Sequence, residues 1–398
     1  MRIGIFGGTF NPPHNGHVTI ARAAVTQLGL DKLLIVPACV PPHKPLPSGV
    51  TAGQRYDMAA LMAAPVGRCA EASDIELHRT GKSYTSDTLV QLQQEYPDAE
   101  LWLLMGSDMF LSLHMWHEPE TICRIARIAA FRRVEEDIRA AMERQKQLLE
   151  RQYQAQVTLL ENPELIELSS TDVRAALAEG RGSGLVPAAV WGYIQREHLY
   201  GTSTDLKHLT PDALRPIAMS YLKPKRMAHV LGTEATAVKL AKQYGADETE
   251  ARVAALLHDC TKKLDMDQQL ALCRQYGLEL DELEQQALKL LHSRTGAAIA
   301  RDVFGVNDAV YSAIRFHTTG KPHMTLLEKI LYLADYMEPT RDFDGVEHLR
   351  EVVRQDLDRG LLLGLTMTIE EMREMGNPIH HLTLDAQRYL IEQGVKQV

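Results

Sequence analysis

Short hydrophobic runs alternate with longer amphipathic patterns over the first half of the chain. An alternation of this kind predicts a parallel β-sheet covered by helices. In such sheets, ligands bind outside the carboxyl ends of the strands. We therefore expect an α/β domain over residues 1–200. The runs that predict strands are Ile3–Phe6, Leu33–Val36, Leu101–Met105, Ile125–Phe131 and Val157–Leu160.

The pattern changes at Gly201–Asp205, and beyond this segment the periodicity predicts helices only. Turns are predicted at Gly245–Asp247, Gly305–Asp308 and Gly320–Pro322, where glycine is followed by turn-forming residues. We therefore predict a linker over residues 201–212 and an all-α domain over residues 213–398. In the first half, Val134–Gln156 is rich in charge and predicts a solvated helix.

Length, charge and cysteine content limit the number of domains, the partners and the location that we expect for this protein. A chain of 398 residues exceeds one ordinary core, which favours two or three domains. The net charge of -9 argues against nucleic acid as the main partner, because phosphate backbones are bound by clustered Lys and Arg. The five scattered cysteines fit reduced thiols. The sequence shows neither a secretory signal nor an apolar run of roughly 18 residues. We expect a cytoplasmic protein without a membrane partner, and a homo-oligomer remains possible.

The first motif follows the first predicted strand. Glycines let backbone N–H groups approach an anion, and a helix N-terminus adds about half a positive charge. His14 and His17 are three residues apart across the start of the helix, so both can donate to phosphate oxygens. The alternative is a plain turn with surface histidines. The loop between strand and helix begins with Gly7, Gly8, Thr9 and Phe10.

A second segment, at residues 168–174, again follows a strand and opens a helix. By itself it is explained as a helix N-cap. Paired with the first loop, it fits a site for the outer phosphates of a nucleotide, with hydroxyls that donate and an arginine that neutralises charge. The candidate residues are Ser169, Ser170, Thr171 and Arg174.

Two competing phosphate motifs are excluded. No GxGxxG sequence follows a predicted strand, which argues against a dinucleotide-dependent dehydrogenase. The tripeptide Gly81-Lys82-Ser83 ends like a P-loop, but Glu76 stands where the first glycine of that motif belongs.

The sequence His14-Asn15-Gly16-His17 and the segment at 168–174 resemble the motifs of the HxGH nucleotidyltransferase superfamily, which has a Rossmann-like fold. Over the first 200 residues the chain resembles bacterial nicotinate mononucleotide adenylyltransferases. That resemblance implies transfer of AMP from ATP, with Mg²⁺, to nicotinate mononucleotide. Further matching segments are Pro42-His43-Lys44, residues 83–89 (SYTSDTL), Gly106-Ser107-Asp108 and Trp116.

The resemblance assigns roles to single residues. Lys44 would assist at the phosphates, as would His14, His17 and Arg174, while Gly106 and Asp108 would position ATP. Tyr84 and Thr85 would contact the mononucleotide, and Trp116 would stack on its pyridine ring. Alternatives remain open, since Trp116 could be a core aromatic residue, and Thr85 and Asp108 could cap helices. Another acceptor, such as a pantetheine or flavin phosphate, would need the same phosphate chemistry.

In the second half, histidines and aspartates interrupt apolar stripes. Burying one such group without a partner costs a few kcal/mol, so several burials favour a shared partner. A metal cluster supplies one, and imidazole with carboxylate suits iron, manganese or cobalt. For a single residue such as His292, a satisfied core histidine is the simpler explanation. The candidate ligands are His229, His258, Asp259, His292, His317 and Asp335.

The order His, His-Asp, Asp resembles the HD phosphohydrolase superfamily, and residues 221–387 resemble its YqeK-like symmetrical diadenosine tetraphosphate hydrolases. The resemblance implies two metal ions, one held by His229, His258, Asp259 and Asp335, the other by His292 and His317, with Asp259 bridging. A metal-activated hydroxide would attack the polyphosphate and release two ADP. Lys262 would hold phosphate oxygens, although it also fits a helix-end cation. A nucleotide-binding regulator and a mononucleotide phosphatase are the alternatives.

Overall fold

The computed structural model describes residues 1–41, 49–131, 136–161 and 168–396. The chain divides into two compact units, Met1–Ser203 and Thr204–Val398. Within the described ranges, none of the helices combines the length and apolar character that a membrane crossing requires. All five cysteines are free thiols.

The first unit contains a six-stranded sheet in the order β3-β2-β1-β4-β5-β6, in which every pairing is parallel. The five predicted strands are confirmed to within one or two residues at each end. β3 was not predicted, because it is a three-residue edge strand of sequence Ala-Glu-Ala without an apolar run. The strands are β1 Arg2–Gly8, β2 Lys32–Pro37, β3 Ala70–Ala72, β4 Glu100–Met105, β5 Ala126–Phe131 and β6 Val157–Leu160.

Helices cover this sheet, as the alternation of patterns predicts. The core residues of the central strands, among them Ile3, Ile5, Leu34 and Leu103, are almost completely buried, as expected for a sheet covered on both faces. The helices are α1 Asn15–Leu28, α2 Ala52–Val66, α3 Thr85–Glu95, α4 Ser107–Ser112, α5 Pro119–Ile125, α6 Glu136–Tyr153, α7 Ser170–Ala178 and α8 Ala188–Arg196. Short 3₁₀ turns occupy Leu113–Met115 and Leu199–Gly201.

The strand order fixes where a ligand can bind. β1 pairs with β2 on one side and with β4 on the other, so the direction of winding reverses at β1. A crevice opens at the carboxyl ends of the strands at such a reversal. The loop after Phe6 lies at this edge of the sheet.

In the second unit, every regular element among the described residues is a helix. Gly245 and Gly305 end their helices with positive φ angles of 79° and 65°, and Gly320 also has a positive φ of 65°, so the predicted turns are confirmed. The helices are α9 Pro211–Ser220, α10 Pro224–Tyr244, α11 Glu248–Leu257, α12 Met266–Gln275, α13 Leu288–Phe304, α14 Asp308–Phe316, α15 Leu326–Met337, α16 Val346–Gln355, α17 Leu357–Glu374 and α18 His381–Glu392.

A central group of helices positions the polar residues of this unit. α10 packs against α11 and α15, and α14 packs against α11, α13 and α15. Each of these five helices carries, or ends next to, one of the candidate metal ligands. The packing therefore brings residues that are far apart in sequence to one place.

Candidate functional site

The first site begins where β1 passes into α1. His14 is the N-cap residue of α1, and its ring centroid lies 3.7 Å from that of His17. The backbone N–H of His14 donates to His17 Nδ1 over 3.1 Å, so the hydrogen of a neutral His17 ring is on Nε2. Burial lowers the pKa of His14 to about 4. The pKa of His17 is well below its ordinary value, through burial first and then His14. Both rings are neutral at pH 7, and His17 offers an N–H donor.

Residues from α7 and from the 3₁₀ turn Leu199–Gly201 hold the loop before α1. Ser170 Oγ donates to the Pro12 carbonyl over 3.1 Å, and Arg174 donates from Nη1 to the Asn11 carbonyl over 2.7 Å. The Tyr200 hydroxyl donates to Asn11 Oδ1 over 2.5 Å. The two segments that sequence analysis paired are therefore in direct contact.

A cavity of about 370 Å³ opens at the carboxyl ends of β1, β2 and β4, within the usual size range of small-ligand sites. Its lining includes the glycine loop and His17. Tyr84, Thr85 and Trp116 line the same cavity. The Tyr84 ring lies 4.2 Å from that of His117, and Trp116 is half-buried with Nε1 donating to Ser112 Oγ over 3.3 Å. Polar backbone and aromatic surface thus face the same space.

Two buried polar atoms of the loop have no hydrogen-bond partner among the described residues. They are Asn11 Nδ2 and His14 Nδ1, on side chains that are 2% and 6% exposed. Buried polar atoms are nearly always paired, so these two indicate a ligand or ordered water at the loop.

The second site is a cluster of six side chains, of which five are buried and Asp335 is partly exposed. His229 Nε2 lies 3.0 Å from Asp335 Oδ1 and 3.4 Å from His258 Nε2. On the other side, His292 Nε2 lies 3.2 Å from Asp259 Oδ1 and 3.1 Å from His317 Nε2. His258 Nε2 lies 3.5 Å from Asp259 Oδ2 and so connects the two sides. All six residues sit within one contiguous group.

In three of the four imidazoles, the outer nitrogen shows which inner atom lacks a hydrogen. His258, His292 and His317 each contact, through Nδ1 and at 2.7 Å, the backbone carbonyl three residues earlier. Carbonyl oxygens only accept, so in each of these rings, when neutral, Nδ1 carries the hydrogen and Nε2 presents a lone pair. The fourth ring, His229, lies between two carboxylates, with Nδ1 3.0 Å from Glu338 and Nε2 3.0 Å from Asp335.

The cluster is therefore a buried set of acceptors that face one another. Burial lowers the pKa of His258, His292 and His317, which keeps these rings neutral. Asp259 is fully buried, and its Oδ1 lacks a hydrogen bond within the described part of the chain. Lone pairs packed at about 3 Å repel each other unless cations lie between them. The donor set and its outer hydrogen bonds thus fit metal ions. Two overlapping triads have all their ligand atoms within 4.8 Å of one another, namely His229, His258 and Asp335, and His258, Asp259 and His317.

Comparison with known proteins agrees with this geometry. Residues 5–176 match the family model "Cytidylyltransferase-like" and residues 226–340 match "HD domain". The chain is 40% identical over 177 residues to "Bis(5'-nucleosyl)-tetraphosphatase, symmetrical" of Halalkalibacterium halodurans, covering 43% of this chain and 91% of that protein. It is 38% identical over 200 residues to "Probable nicotinate-nucleotide adenylyltransferase" of Synechococcus sp. (strain JA-3-3Ab), covering 50% of this chain and 94% of that protein.

The chain belongs to the families of both relatives, the symmetrical bis(5'-nucleosyl)-tetraphosphatases and the nicotinate-nucleotide adenylyltransferases. A crystal structure of a "predicted HD superfamily hydrolase involved in NAD metabolism" from Clostridium acetobutylicum is 41% identical, with a TM-score of 0.45, and covers 46% of this chain and 98% of its own.

Within the adenylyltransferase-family unit, the predicted residues fall into three groups. The cavity is lined by His17, Gly7, Gly8, Thr9, Gly106, Tyr84, Thr85 and Trp116. His14, Phe10, Asp108 and the four residues at 169–174 do not line it, although Phe10 packs on His17 with ring centroids 5.1 Å apart. Ser169 is the N-cap of α7, where its hydroxyl accepts from Asp172 N over 3.1 Å. Lys44 lies outside the described residues.

Sequence reasoning missed Arg55 of α2. Its guanidinium is fully buried and donates to the carbonyls of Thr9, Ala38 and Cys39 over 3.0, 2.6 and 3.0 Å. It therefore fastens the glycine loop to the end of β2, and burial lowers its pKa. Nothing local marks this residue, because an arginine within a helix normally faces solvent.

The tetraphosphatase-family unit also contains residues that sequence analysis did not assign. Glu338 is fully buried and contacts His229, and Arg341 Nη2 lies 2.8 Å from Asp335 Oδ1. Arg226 Nε forms an ion pair with Asp259 Oδ2. The expected Lys262 is beside the cluster, with Nζ 3.0 Å from His292 Nε2. Glu338 could have been suspected from its place three residues after Asp335.

A third group, of Asp281, His380 and His381, has ligand atoms close enough for a metal but the wrong hydrogen placement. The backbone N–H of Leu382 donates to His380 Nδ1 over 3.2 Å, so the ring hydrogen is on Nε2. That nitrogen lies 3.0 Å from Asp281 Oδ2. The Nε2 hydrogen therefore faces the carboxylate, and this ring has no free lone pair for a metal.

Proposed function

We propose that this chain is a bifunctional enzyme. One activity transfers AMP from ATP to nicotinate mononucleotide and gives deamido-NAD and pyrophosphate. The other hydrolyses diadenosine tetraphosphate symmetrically to two ADP. The relatives named above support both, and the observation that carries the proposal is the coexistence of a phosphate loop in an aromatic-sided cavity with a buried cluster of metal ligands.

In the first reaction, a phosphate oxygen of the mononucleotide attacks the α-phosphorus of ATP, and the bond from that phosphorus to the pyrophosphate oxygen breaks. No protein nucleophile is needed. The loop N–H groups and His17 Nε2–H would donate to the phosphate oxygens where charge builds up. Mg²⁺ that enters with ATP neutralises the departing pyrophosphate. His14, Lys44 and Arg174 remain proposed members of this phosphate site, with Ser169, Ser170 and Thr171.

The acceptor is proposed from the aromatic residues of the cavity. Trp116 and Tyr84 line it, and an aromatic surface suits a flat pyridine ring. Their positions favour a pyridine nucleotide over a pantetheine phosphate, which has no ring to stack. Thr85 begins α3 beside them.

In the second reaction, we propose that one divalent ion is held by His229, His258, Asp259 and Asp335, and a second by His292 and His317, with Asp259 shared. Iron, manganese or cobalt suits such ligands. Metal ions of this kind activate water and polarise phosphoryl oxygens. Glu338 and the carbonyls behind the imidazoles fix the ring orientation, and burial excludes other water from the ligands.

One set of assays tests both activities. The purified protein is incubated with ATP and Mg²⁺ and either nicotinate or nicotinamide mononucleotide, while bound transition metals are measured on the same sample. Deamido-NAD formation from the nicotinate compound supports the first activity. Two ADP from diadenosine tetraphosphate support the second, whereas release of phosphate from AMP, or metal binding without hydrolysis, would favour a phosphatase or a regulatory module. Cytoplasmic location and oligomeric state stay predictions for fractionation and mass measurement.

A further inference from the structure

Three cations surround the exposed side of the metal-ligand cluster. The side chains of Arg226, Lys262 and Arg341 are 27%, 33% and 32% exposed. The ligands behind them are far more buried, since His258 and Asp259 have no exposed side-chain surface. The cations therefore stand between the cluster and solvent, where a substrate must arrive.

These cations are spread over both halves of the cluster. Arg226 contacts Asp259 Oδ2, and Arg341 contacts Asp335 Oδ1, on the side of His229. Lys262 lies on the side of His292, and its Nζ is 4.0 Å from Asp259 Oδ1. A single phosphate contacts few groups at once, whereas a chain of phosphates can extend along all three.

The charges around the cluster also point to a substrate with several phosphates. Three carboxylates, on Asp259, Asp335 and Glu338, are balanced by the three cations. Each divalent ion held among these ligands would then add two uncompensated positive charges. An anion with several negative charges offsets this excess.

We infer that Arg226 and Arg341 act with Lys262 to bind the polyphosphate chain, and that they make this site select polyphosphates over simple phosphate esters. The inference rests on the proposed hydrolase activity and deepens it. The competing explanation is structural, in which the two arginines only neutralise the ligand carboxylates. Removing them would then release metal and lower hydrolysis of every substrate equally.

The test uses Arg226→Gln, Arg341→Gln and Arg341→Lys in the full chain, with Lys225→Gln as the control. Lys225 is an exposed cation beside Arg226 on α10. Bound metal per chain, kcat and KM are measured with diadenosine tetraphosphate and with bis(p-nitrophenyl) phosphate, which carries one negative charge. Binding of inorganic tripolyphosphate is measured separately by calorimetry at several salt concentrations.

We expect each glutamine variant to keep its metal. Its KM for the tetraphosphate should rise about 10-fold or more, and this factor should exceed any rise in KM for the small ester by at least 10-fold. Tripolyphosphate binding should weaken and lose part of its salt dependence, with partial recovery in Arg341→Lys. Metal loss with equal decline on both substrates, or tripolyphosphate binding equal to that of wild type, would overturn the inference. If the wild-type protein hydrolyses neither diadenosine tetraphosphate nor the small ester, but these arginines still control tripolyphosphate binding, the proposed hydrolase activity is wrong and the anion site remains supported.

Discussion

The Glu338 carboxylate occupies the space that a side chain at Gly232 would fill. A Cβ atom built on Gly232 would overlap Glu338 Oε2 and press on Pro339. Gly232 lies three residues after His229, on the same face of α10. The missing side chain therefore lets the carboxylate approach the helix and contact His229 Nδ1 over 3.0 Å.

Gly232→Ala should weaken metal binding by about 10–100-fold, because a displaced carboxylate no longer orients the His229 ring. Helix propensity acts in the opposite direction, since Ala in a helix is favoured over Gly by roughly 0.5–1 kcal/mol. A stable fold with weakened metal binding would thus separate this effect from misfolding. Gly364→Ala is the control, because its Cβ would meet its nearest atoms at 3.5 Å or more. Metal titration of both variants tests this prediction. Equal metal affinities in Gly232→Ala and Gly364→Ala would refute the role of Glu338.

Asp259→Asn should remove metal and hydrolysis while leaving adenylyl transfer intact. The two carboxylate oxygens of Asp259 face different imidazoles, with Oδ1 3.2 Å from His292 and Oδ2 3.5 Å from His258. An amide replaces one acceptor with a donor at the centre of the cluster, so both halves lose a ligand. Metal analysis and the two activity assays are compared with those of Asp344→Asn, an exposed site in the same unit. Full metal occupancy with normal hydrolysis would contradict the assignment.

The fold was largely predictable because hydrophobic residues follow clear patterns along most of its strands and helices. Buried strands such as Leu101–Met105 form continuous apolar runs, and glycines such as Gly305 mark helix ends through their positive φ. β3 was not predicted because Ala70–Ala72 has no apolar run and is too short for its alternation to stand out, and its pairing with β2 is decided by the sheet as a whole.

The site was predictable only where its chemistry is local in sequence. His14 and His17 share one helix start, and His258 and Asp259 are adjacent, so spacing alone brings each pair together. Arg55 contacts carbonyls 16 to 46 residues away, and Glu338 meets His229 across 109 positions. Such partners are set by tertiary packing, which periodicity and motif spacing do not reveal.

His17→Ala should lower adenylyl transfer about 10²–10³-fold, the usual effect of removing one donor from a developing oxyanion. Hydrolysis of diadenosine tetraphosphate should not change, since the metal cluster lies in the other unit. His78→Ala is the matched control, because that histidine is exposed and lies outside the lining of the cavity. Loss of both activities in His17→Ala would show that the two reactions are not separable.

Stability should fall as the pH drops from about 6.5 towards 4, in part through His14. Its pKa is about 4 in the folded chain against 6.5 ordinarily, so over this range the unfolded chain binds a proton that the folded chain does not. The free energy of unfolding then rises with pH, by up to about 1.4 kcal/mol per pH unit for one such group, and levels off above the ordinary pKa. Urea unfolding of wild type and His14→Gln measures the difference in slope. Identical slopes in the two proteins would mean that His14 is not a buried neutral histidine.

Trp116→Ala should raise KM for nicotinate mononucleotide about 10-fold while leaving KM for ATP nearly unchanged. Stacking of aromatic rings contributes roughly 0.5–1.5 kcal/mol beyond buried area, and Trp116 lines the cavity. Trp116→Phe keeps an aromatic face but loses the hydrogen bond from Nε1 to Ser112, so it separates stacking from positioning. Near-normal KM in the phenylalanine variant would assign the effect to stacking. If both variants instead lose stability without a selective change in KM, the ring serves the core and the acceptor must bind elsewhere in the cavity.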